Sequence, residues 1–262
     1  MNWEFTDVEF KVLCNRYLDE WVPVPLAYTS RTRYLDDYER ELADVEAQLG
    51  DRLDSSIGAV FETIRNPEVF VISSGWCDSD TDNPEKRFRA HGARRGRRAV
   101  MVTQKPGETV YHSGGFTLTE CDPEDLPGLL VAQLPAAEAA RGSAVPIVVE
   151  PPERDPYEVK QSMAFDSFDD SSETRSLAFL SKPAEWTGFV RVLQGRSIYG
   201  PRGVMETTML WRDLPDDGRY LIELDEPEMR AVGVSASKLA DRIQYRVERV
   251  LDHMAARGEE EV

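Results

Sequence analysis

The feature that most constrains this chain is a change of hydrophobic period that occurs twice. Residues 6–64 carry apolar side chains at helical spacing, whereas 69–121 contain four short runs rich in β-branched and aromatic residues. A helix, four further strand-like runs and a long closing helix follow after residue 172. Spacings of 3.6 and 2 residues distinguish amphipathic helices from half-buried strands. The sequence therefore predicts two halves of one architecture, each with helix, four strands and helix.

Local signals set the bounds of these elements. A capping box over TDVE (6–9) opens the first helix, and proline or glycine ends several others. Helices are predicted at 6–17, 38–50, 53–64, 123–134, 173–180 and 235–256. Strands are predicted at 69–76, 87–93, 99–103, 116–121, 188–193, 204–211, 219–224 and 229–234. PVPL (23–26) is predicted to be an edge strand or an extended segment.

Short turns between successive strands favour antiparallel pairing, with helices covering one face of each sheet. The predicted fold class is α+β, with two pseudo-two-fold-related halves that each hold a mostly antiparallel sheet and flanking helices. We expect the halves at 1–135 and 173–262, joined as one composite globular domain. Residues 136–172 are rich in proline, acids and serine and are predicted to be a linker, disordered in part, although 145–149 is apolar enough for a strand.

Charge and cysteine content exclude several classes of function. The chain has 48 acidic and 31 basic residues, and its net charge of −17 disfavours nucleic acid or an anionic membrane as the general partner. Three widely spaced cysteines contain no CxxC pair, so neither a disulfide framework nor a zinc site is expected. The N-terminal segment is broken by charge, and no run approaches the ~20 apolar residues of a membrane span. We expect a cytoplasmic protein without membrane insertion.

The common catalytic motifs are missing from the sequence, including HExxH, the P-loop, the dinucleotide-binding glycines and the nucleophile elbow. The histidines His91, His112 and His253 are scattered, and His91 is predicted to lie exposed on the polar face of a strand. We expect no catalytic residue, metal ligand or cofactor, and the protein is predicted not to be an enzyme. A hydrolase or small-ligand enzyme on the same fold stays an alternative, which a deep cleft with converging titratable groups would support.

Asp78, Asp80 and Asp82 alternate as they do at the start of a calcium-binding loop. Such a loop needs glycine at its sixth position and a bidentate glutamate at its twelfth, where this chain has Asn83 and Arg89. A calcium site of that kind is rejected. A solvated loop is favoured, with a weak incidental cation site left open.

The hairpin at 86–98 holds seven Lys and Arg residues and no acid. One interpretation is a basic ribbon that binds nucleic acid. Another is a surface hairpin that acids elsewhere on the chain neutralise, and a third is a receptor for an acidic protein partner. The neutralised hairpin is favoured, because Phe88 is the hairpin's only aromatic residue for stacking on bases.

One face of the predicted strand 204–211 carries Met205, Thr207, Met209 and Trp211. The pattern favours a core face. The alternative is an adaptable, methionine-rich surface for a hydrophobic partner, and Met205, Met209 and Trp211 are its candidate binding residues. Met209→Arg or Trp211→Glu separates the two interpretations. Either substitution would unfold the protein if the residue lies in the core, and would weaken partner binding with the fold intact if the residue lies on a binding surface.

Several segments resemble the EspG family of actinobacterial proteins associated with type VII (ESX) secretion. They are TDVEF (6–10), PVPL (23–26), AQLP (132–135), GFVRV (188–192) and WRD (211–213) followed by DGRYL (217–221). The resemblance spans residues 4–255, and its specificity lies in the order and spacing of the segments. None of them is a signature of a chemical reaction.

The resemblance implies a fold of two sheet-bearing halves related by a pseudo-two-fold, and no catalysis. It implies a chaperone that binds the exposed hydrophobic tip of the PPE subunit in a helical PE–PPE heterodimer and keeps the pair soluble before export. The family's binding face comprises the central sheet and the C-terminal helical region, with a variable loop that corresponds here to 77–85. Asp80 and Asp82 on that loop are therefore further candidate partner contacts. A homodimer of the free protein is left open.

Overall fold

The computed structural model describes residues 1–50, 53, 55–148 and 166–258, which form ten strands and six α-helices. The N-terminal half contains β1 (Asn2–Phe5), α1 (Asp7–Tyr17), α2 (Leu35–Gly50), α3 (Ile57–Arg65), β2 (Val69–Trp76), β3 (Arg87–Arg95), β4 (Arg98–Pro106), β5 (Ser113–Cys121) and α4 (Leu126–Ala132). The C-terminal half contains β6 (Val145–Pro146), α5 (Asp166–Leu180), β7 (Trp186–Gln194), β8 (Glu206–Leu214), β9 (Gly218–Glu223), β10 (Arg230–Gly233) and α6 (Ala236–Arg257).

All ten strands belong to one antiparallel sheet in the order β1-β5-β4-β3-β2-β7-β8-β9-β10-β6. The halves meet where β2 pairs with β7, from Val69 opposite Gln194 to Trp76 opposite Thr187. Outward from this pair the two halves have the same strand order, β2-β3-β4-β5-β1 in one and β7-β8-β9-β10-β6 in the other. In each half the outermost strand, β1 or β6, comes first in the chain. The predicted α+β fold with two pseudo-two-fold-related halves is confirmed.

Two glycines face each other at the seam between the halves. Gly75 of β2 pairs with Gly188 of β7, and the indole ring of Trp211 lies directly over both. A Cβ atom at Gly188 would lie 2.4 Å from that ring and 2.5 Å from the backbone oxygen of Ser74. The glycine of the GFVRV segment is therefore required by close packing of Trp211 across the seam.

Helices α4 and α6 cover one face of the sheet, which we call the covered face. Valines of β2 and β7 and the buried side chains of β8 pack there against Leu239, Ile243, Val247 and Val250 of α6. Burying an aliphatic side chain of this size stabilises the fold by about 1.5–3 kcal/mol. This cluster joins both halves into one core.

The opposite face holds two smaller cores that lie apart. In the N-terminal half, Phe10 of α1 stacks on Phe116 of β5 with ring centroids 4.1 Å apart. In the C-terminal half, Phe179 of α5 meets the edge of Tyr220 of β9 at 5.1 Å. Of the described helices, only α6 packs closely on β2 and β7, and it does so on the covered face. Among the residues that the structure describes, no helix covers the centre of the opposite face.

The predicted capping box opens the first helix, and the last helix is capped at both ends. Thr6 accepts a hydrogen bond from the backbone N–H of Glu9 at 3.2 Å, and the Glu9 carboxylate accepts one from Thr6 N at 2.8 Å. Ser235 caps α6 by accepting from Lys238 N, and Gly258 ends it in a left-handed conformation with φ of 68°. These contacts satisfy backbone groups that a helix end leaves unpaired.

Three segments differ from the pattern or add to it. β1 was not predicted, because its four residues run straight into the capping box of α1. The PVPL segment forms a turn, with Leu26 N donating to Pro23 O at 2.9 Å. Within 136–172, β6 pairs with β10 and α5 begins at Asp166, whereas 149–165 lie outside the described residues. The division at 1–135 and 173–262 stays a prediction.

Candidate functional site

The uncovered centre of the second face is the candidate site, and we call it the open face. Side chains there come from alternate positions of the central strands, which point to the same side of a sheet. They are large and partly exposed: Phe70 and Trp76 from β2, Arg87 and Arg89 from β3, Phe189 from β7 and Leu210 from β8. Exposed aromatic and arginine side chains together are typical of protein-binding surfaces.

A row of rings extends the open face towards the N-terminal half. The edge of Trp21 meets the ring of His91 at 6.2 Å, and His91 stacks on Phe70 at 5.8 Å. Trp21 is 45% exposed. The row gives the open face a continuous apolar border beside α1.

His91 is the buried middle ring of this row, so the prediction that it is exposed is wrong. Its side chain is buried, and Nδ1 donates to the carbonyl oxygen of Val24 at 2.7 Å. Nε2 has no hydrogen-bond partner among the described residues. Burial lowers the pKa of His91 from 6.5 to about 4, although the hydrogen bond to Val24 raises it. The segment after α1 folds over the strand, a long-range contact that the local pattern does not indicate.

The rim of the open face is basic in an acidic protein. Arg191 of β7 donates from Nε to Glu206 at 2.7 Å. Arg87 donates to the carbonyl of Thr81 at 3.1 Å and lies over the ring of Trp76, 6.0 Å from its centroid. Arg89 has no hydrogen bond or ion pair with any residue that the structure describes. The rim therefore contains two arginines, Arg87 and Arg89, whose charge no carboxylate of the described residues neutralises.

Three cations of the basic hairpin at 86–98 are paired with acids: Lys86 with Asp80 at 3.0 Å, Arg98 with Glu120 at 2.7 Å, and Arg95 with Glu62. These pairs support the neutralised-hairpin interpretation for part of the ribbon. The other four arginines form no ion pair with a residue that the structure describes, and of these Arg87 and Arg89 lie on the open face.

The loop at 77–85 follows Trp76 and lies at one end of the open face. Asp80 accepts from the amide of Asn83 at 2.9 Å, and this bond, with Lys86, lowers the pKa of Asp80. Asp82 is exposed. Asp78 accepts from Arg212 at 3.3 Å and from the backbone N–H of Ala184 at 3.1 Å, which ties the loop to the C-terminal half.

Across the described ranges, no group of three His, Cys, Asp or Glu side chains is placed to hold a metal ion. Nor does any helix there combine the length and apolar character needed to cross a membrane.

The structure places Met209 and Trp211 on the covered face, both with 0% exposure, beneath α6. Met205 is partly buried just before β8 and packs against the same core. This is the location that the core interpretation of the Met/Trp face favoured. A partner of the folded protein cannot touch Met209 or Trp211 unless α6 moves.

The WRD and DGRYL segments form a buried polar structure that the sequence pattern did not reveal. Arg219 donates through two nitrogens to the carboxylate of Asp213, both at 2.7 Å, and to Pro135 O at 2.7 Å. Its guanidinium lies 4.8 Å from the ring centroid of Trp211. Arg212, on the other face, donates to the carbonyls of Phe179 and Lys182 at the end of α5. The one signal in the sequence is the opposite charge at 213 and 219, which the hairpin register places opposite each other.

Comparison with known proteins finds a matching family model and several similar solved structures. A family model described as the EspG family matches residues 6–245. No curated protein matches the sequence significantly. One similar solved structure is described as the Mycobacterium tuberculosis type VII secretion system chaperone EspG5 in complex with the PE25–PPE41 dimer. The two chains are 15% identical with a TM-score of 0.55, and the match covers 97% of this chain and 96% of that chain. At this identity the likeness shows a shared fold.

Proposed function

This chain belongs to the EspG family, and on that premise we propose that it is a cytosolic chaperone of a type VII secretion system. It binds a helical PE–PPE-like heterodimer and keeps that substrate soluble before export. The observation that carries this proposal is the fold match along nearly the whole chain to a chaperone solved with a PE–PPE dimer.

The open face is the surface we propose for the substrate. An exposed apolar tip aggregates unless its surface is removed from water. A specific complex needs roughly 800 Å² from each partner. The partly exposed Phe70, Phe189 and Leu210 supply an apolar centre, and the arginines supply a polar rim that keeps release possible. The net charge of −17 also favours repulsion between chaperone molecules and so their solubility.

The earlier candidates fit this surface to different degrees. Asp80 and Asp82 lie on the loop at one end of the open face, and we retain them as contacts at the rim. Met205 is partly accessible on the other side of the sheet, where it would serve only a partner that also contacts α6. We infer that the protein is not an enzyme, and the role named for the similar chaperone supports this.

Co-expression with a PE–PPE pair from the same secretion locus tests the proposal. The wild-type chain should elute with the pair as one complex on gel filtration, and Phe189→Glu should abolish the complex. Val232→Glu is the matched control, because it adds the same charge at a 38% exposed position on β10. Tyr245→Glu on α6, 51% exposed, reports whether the helical side also contributes.

Two outcomes would contradict the proposal at different levels. If Phe189→Glu still binds as the control does, the open face is not the contact surface. If the wild-type chain solubilises none of the pairs, the chaperone function itself fails. Circular dichroism and thermal melting of each variant establish that the loss of binding is not a loss of fold.

A further inference from the structure

Arg87 and Arg89 stand two positions apart on β3 and point to the open face. They border a narrow cleft between β3 and the connection from β4 to β5, with a free volume of about 220 Å³ including its mouth. Lys105 and His112 complete its basic lining, and no carboxylate lines it in the described part of the chain. The cleft is a local positive site on a strongly negative protein.

The neighbouring basic groups already have partners, which leaves the two arginines as the donors of this cleft. Lys105 pairs with Glu4 at 3.0 Å, and Nδ1 of His112 is hydrogen-bonded to Thr109 at 2.8 Å. Arg87 donates to the carbonyl of Thr81, but its Nε is buried with no hydrogen-bond partner among the described residues, and Arg89 has neither a hydrogen bond nor an ion pair there. A buried donor without a partner carries a desolvation cost, so an acceptor that reaches Nε of Arg87 would complete the site.

Electrostatics agree with this geometry. Burial lowers the pKa of Arg89, and repulsion from Arg87 lowers it further, whereas Tyr111 raises it. Elsewhere on the hairpin, Lys86, Arg95 and Arg98 form ion pairs with acids. Two further arginines form none with a described residue, but Arg94 belongs to the covered face and Arg97 to the exposed tip. The adjacent pair on the open face therefore lacks a described acid at a position where a docked partner can supply the counter-charge.

Resting on the proposed function, we propose that Arg87 and Arg89 form a receptor for a side-chain carboxylate of the docked PE–PPE-like substrate. The guanidinium group matches a carboxylate in a two-bond, planar geometry, and such charge-assisted bonds are among the strongest in proteins. The ring of Trp76 lies under Arg87 and limits its motion. The substrate tip that fits this surface is apolar, with an aspartate or glutamate at its margin.

A polyanion such as nucleic acid fits the same cations less well. The enclosed part of the cleft is only about 10 Å³, far below the ~300–1,000 Å³ of ordinary ligand pockets, so a partner group would bind at its mouth beside the arginines. The net charge of −17 and the acidic loop at 77–85 repel an extended phosphate backbone. A protein carboxylate is therefore the occupant that the charges favour.

The test measures the affinity of the full chain for the PE–PPE pair that co-purifies with it. Arg89→Met keeps the length of the side chain and removes its charge, and it should weaken binding by about 10- to 100-fold. Arg97→Met is the matched control: it removes the same charge from the exposed tip of the same hairpin and should change affinity less than about twofold. Raising the salt to 1 M should narrow the gap between the two variants.

Further measurements separate binding from structure. Arg89→Met should melt at or above the wild-type temperature, because repulsion between neighbouring arginines is removed; a lower melting temperature with unchanged affinity would make Arg89 structural and overturn the proposal. Acids at the substrate tip can be replaced one at a time by their amides. At the position that contacts Arg89, the replacement should weaken binding to the wild-type chain but not change binding to Arg89→Met.

The remaining outcomes are also decisive. If Arg89→Met binds the pair as tightly as Arg97→Met, the carboxylate site is wrong while the chaperone function stands. Should the wild-type chain bind no pair, the proposed function fails and this site fails with it. Salt-sensitive binding of single-stranded or duplex DNA that Arg89→Met abolishes would replace the carboxylate by nucleic acid as the occupant.

Discussion

The covered face and the open face are built from the same strands but have different surroundings. On β8, Met209 and Trp211 point to the covered face with 0% exposure, and Leu210 between them is partly exposed on the open face. On β2, Val69 and Val71 are buried under α6, whereas Phe70 is partly exposed. Alternation along a strand thus sends one set of residues to the core and the next to a surface.

Charged groups differ between the faces in the same way. The covered face encloses Arg219 and Asp213 as a closely bonded pair, 2% and 5% exposed. The open face leaves Arg87 and Arg89 without a carboxylate from the described chain. A buried charge must be compensated within the fold, whereas a charge at a binding surface can be compensated by the partner. The covered face therefore stabilises the fold, whereas the open face is the surface suited to binding a partner.

The largest expected contrast is between Trp211 and Phe189. Trp211→Ala should lower the free energy of unfolding by about 3–5 kcal/mol, because it opens a cavity over Gly75 and Gly188 and removes the stack with Arg219. Phe189→Ala, on the partly exposed side, should lower it by about 1 kcal/mol or less. Urea unfolding followed by circular dichroism measures both, and equal losses would break the comparison.

The ion pairs of the two faces should differ almost as much. Arg219→Met should cost about 3–4 kcal/mol, since it leaves the carboxylate of Asp213 buried without its counter-charge. Arg191→Met breaks the exposed pair with Glu206 and should cost less than about 1 kcal/mol. In the double variant Arg219→Met/Asp213→Leu, stability should partly return. No recovery would mean that Arg219 acts through Trp211 and Pro135 instead.

Burial of His91 beside the open face should make the stability of the protein depend on pH. The His91 pKa of about 4 in the folded state lies below its ordinary value of 6.5, so the unfolded chain binds more protons between these values. The contribution of neutral His91 is fully present above pH 6.5 and is lost as pH falls towards 4, by at most about 3 kcal/mol. His91→Gln should lack this loss. The measurement is the wild-type-minus-variant difference in unfolding free energy from pH 4 to 7.5, and a flat difference would place His91 in contact with water.

Much of the fold follows from periodicity and local signals. The predicted strand 69–76 matches β2 residue for residue, and the closing helix differs from α6 by one residue at each end. Strands and helices of this length have a period that their own residues determine, and caps such as Thr6 and Gly258 mark their ends. The alternation on β8 also separated Met209 and Trp211 from Leu210, although it did not show which face α6 covers.

The candidate site was harder to predict, because it depends on contacts between distant residues. His91 is buried by a segment 67 positions earlier in the chain, and Asp78 is held by Arg212 from the other half. The open face exists because α1–α3 and α5 pack away from the seam, which no single segment encodes. The basic hairpin was visible in the sequence, but only the structure shows which of its cations form ion pairs and that Arg87 and Arg89 lie on the open face.

The smallest expected effect concerns Phe70, which is both part of the open face and a cover for His91. Phe70→Ala should cost about 1 kcal/mol or less at pH 7.5, because the ring is already partly exposed. Removing the ring that stacks on His91 at 5.8 Å should admit water and raise the pKa of His91 towards 6.5. The loss of stability between pH 6.5 and 4 should then shrink, which nuclear magnetic resonance titration of the imidazole would report directly. Phe189→Ala is the matched control, because it removes a ring from the same face, whereas the rings that contact His91 are those of Trp21 and Phe70. An unchanged His91 titration in Phe70→Ala would show that Trp21 and the segment after α1 exclude water alone, and that the open face ends before His91.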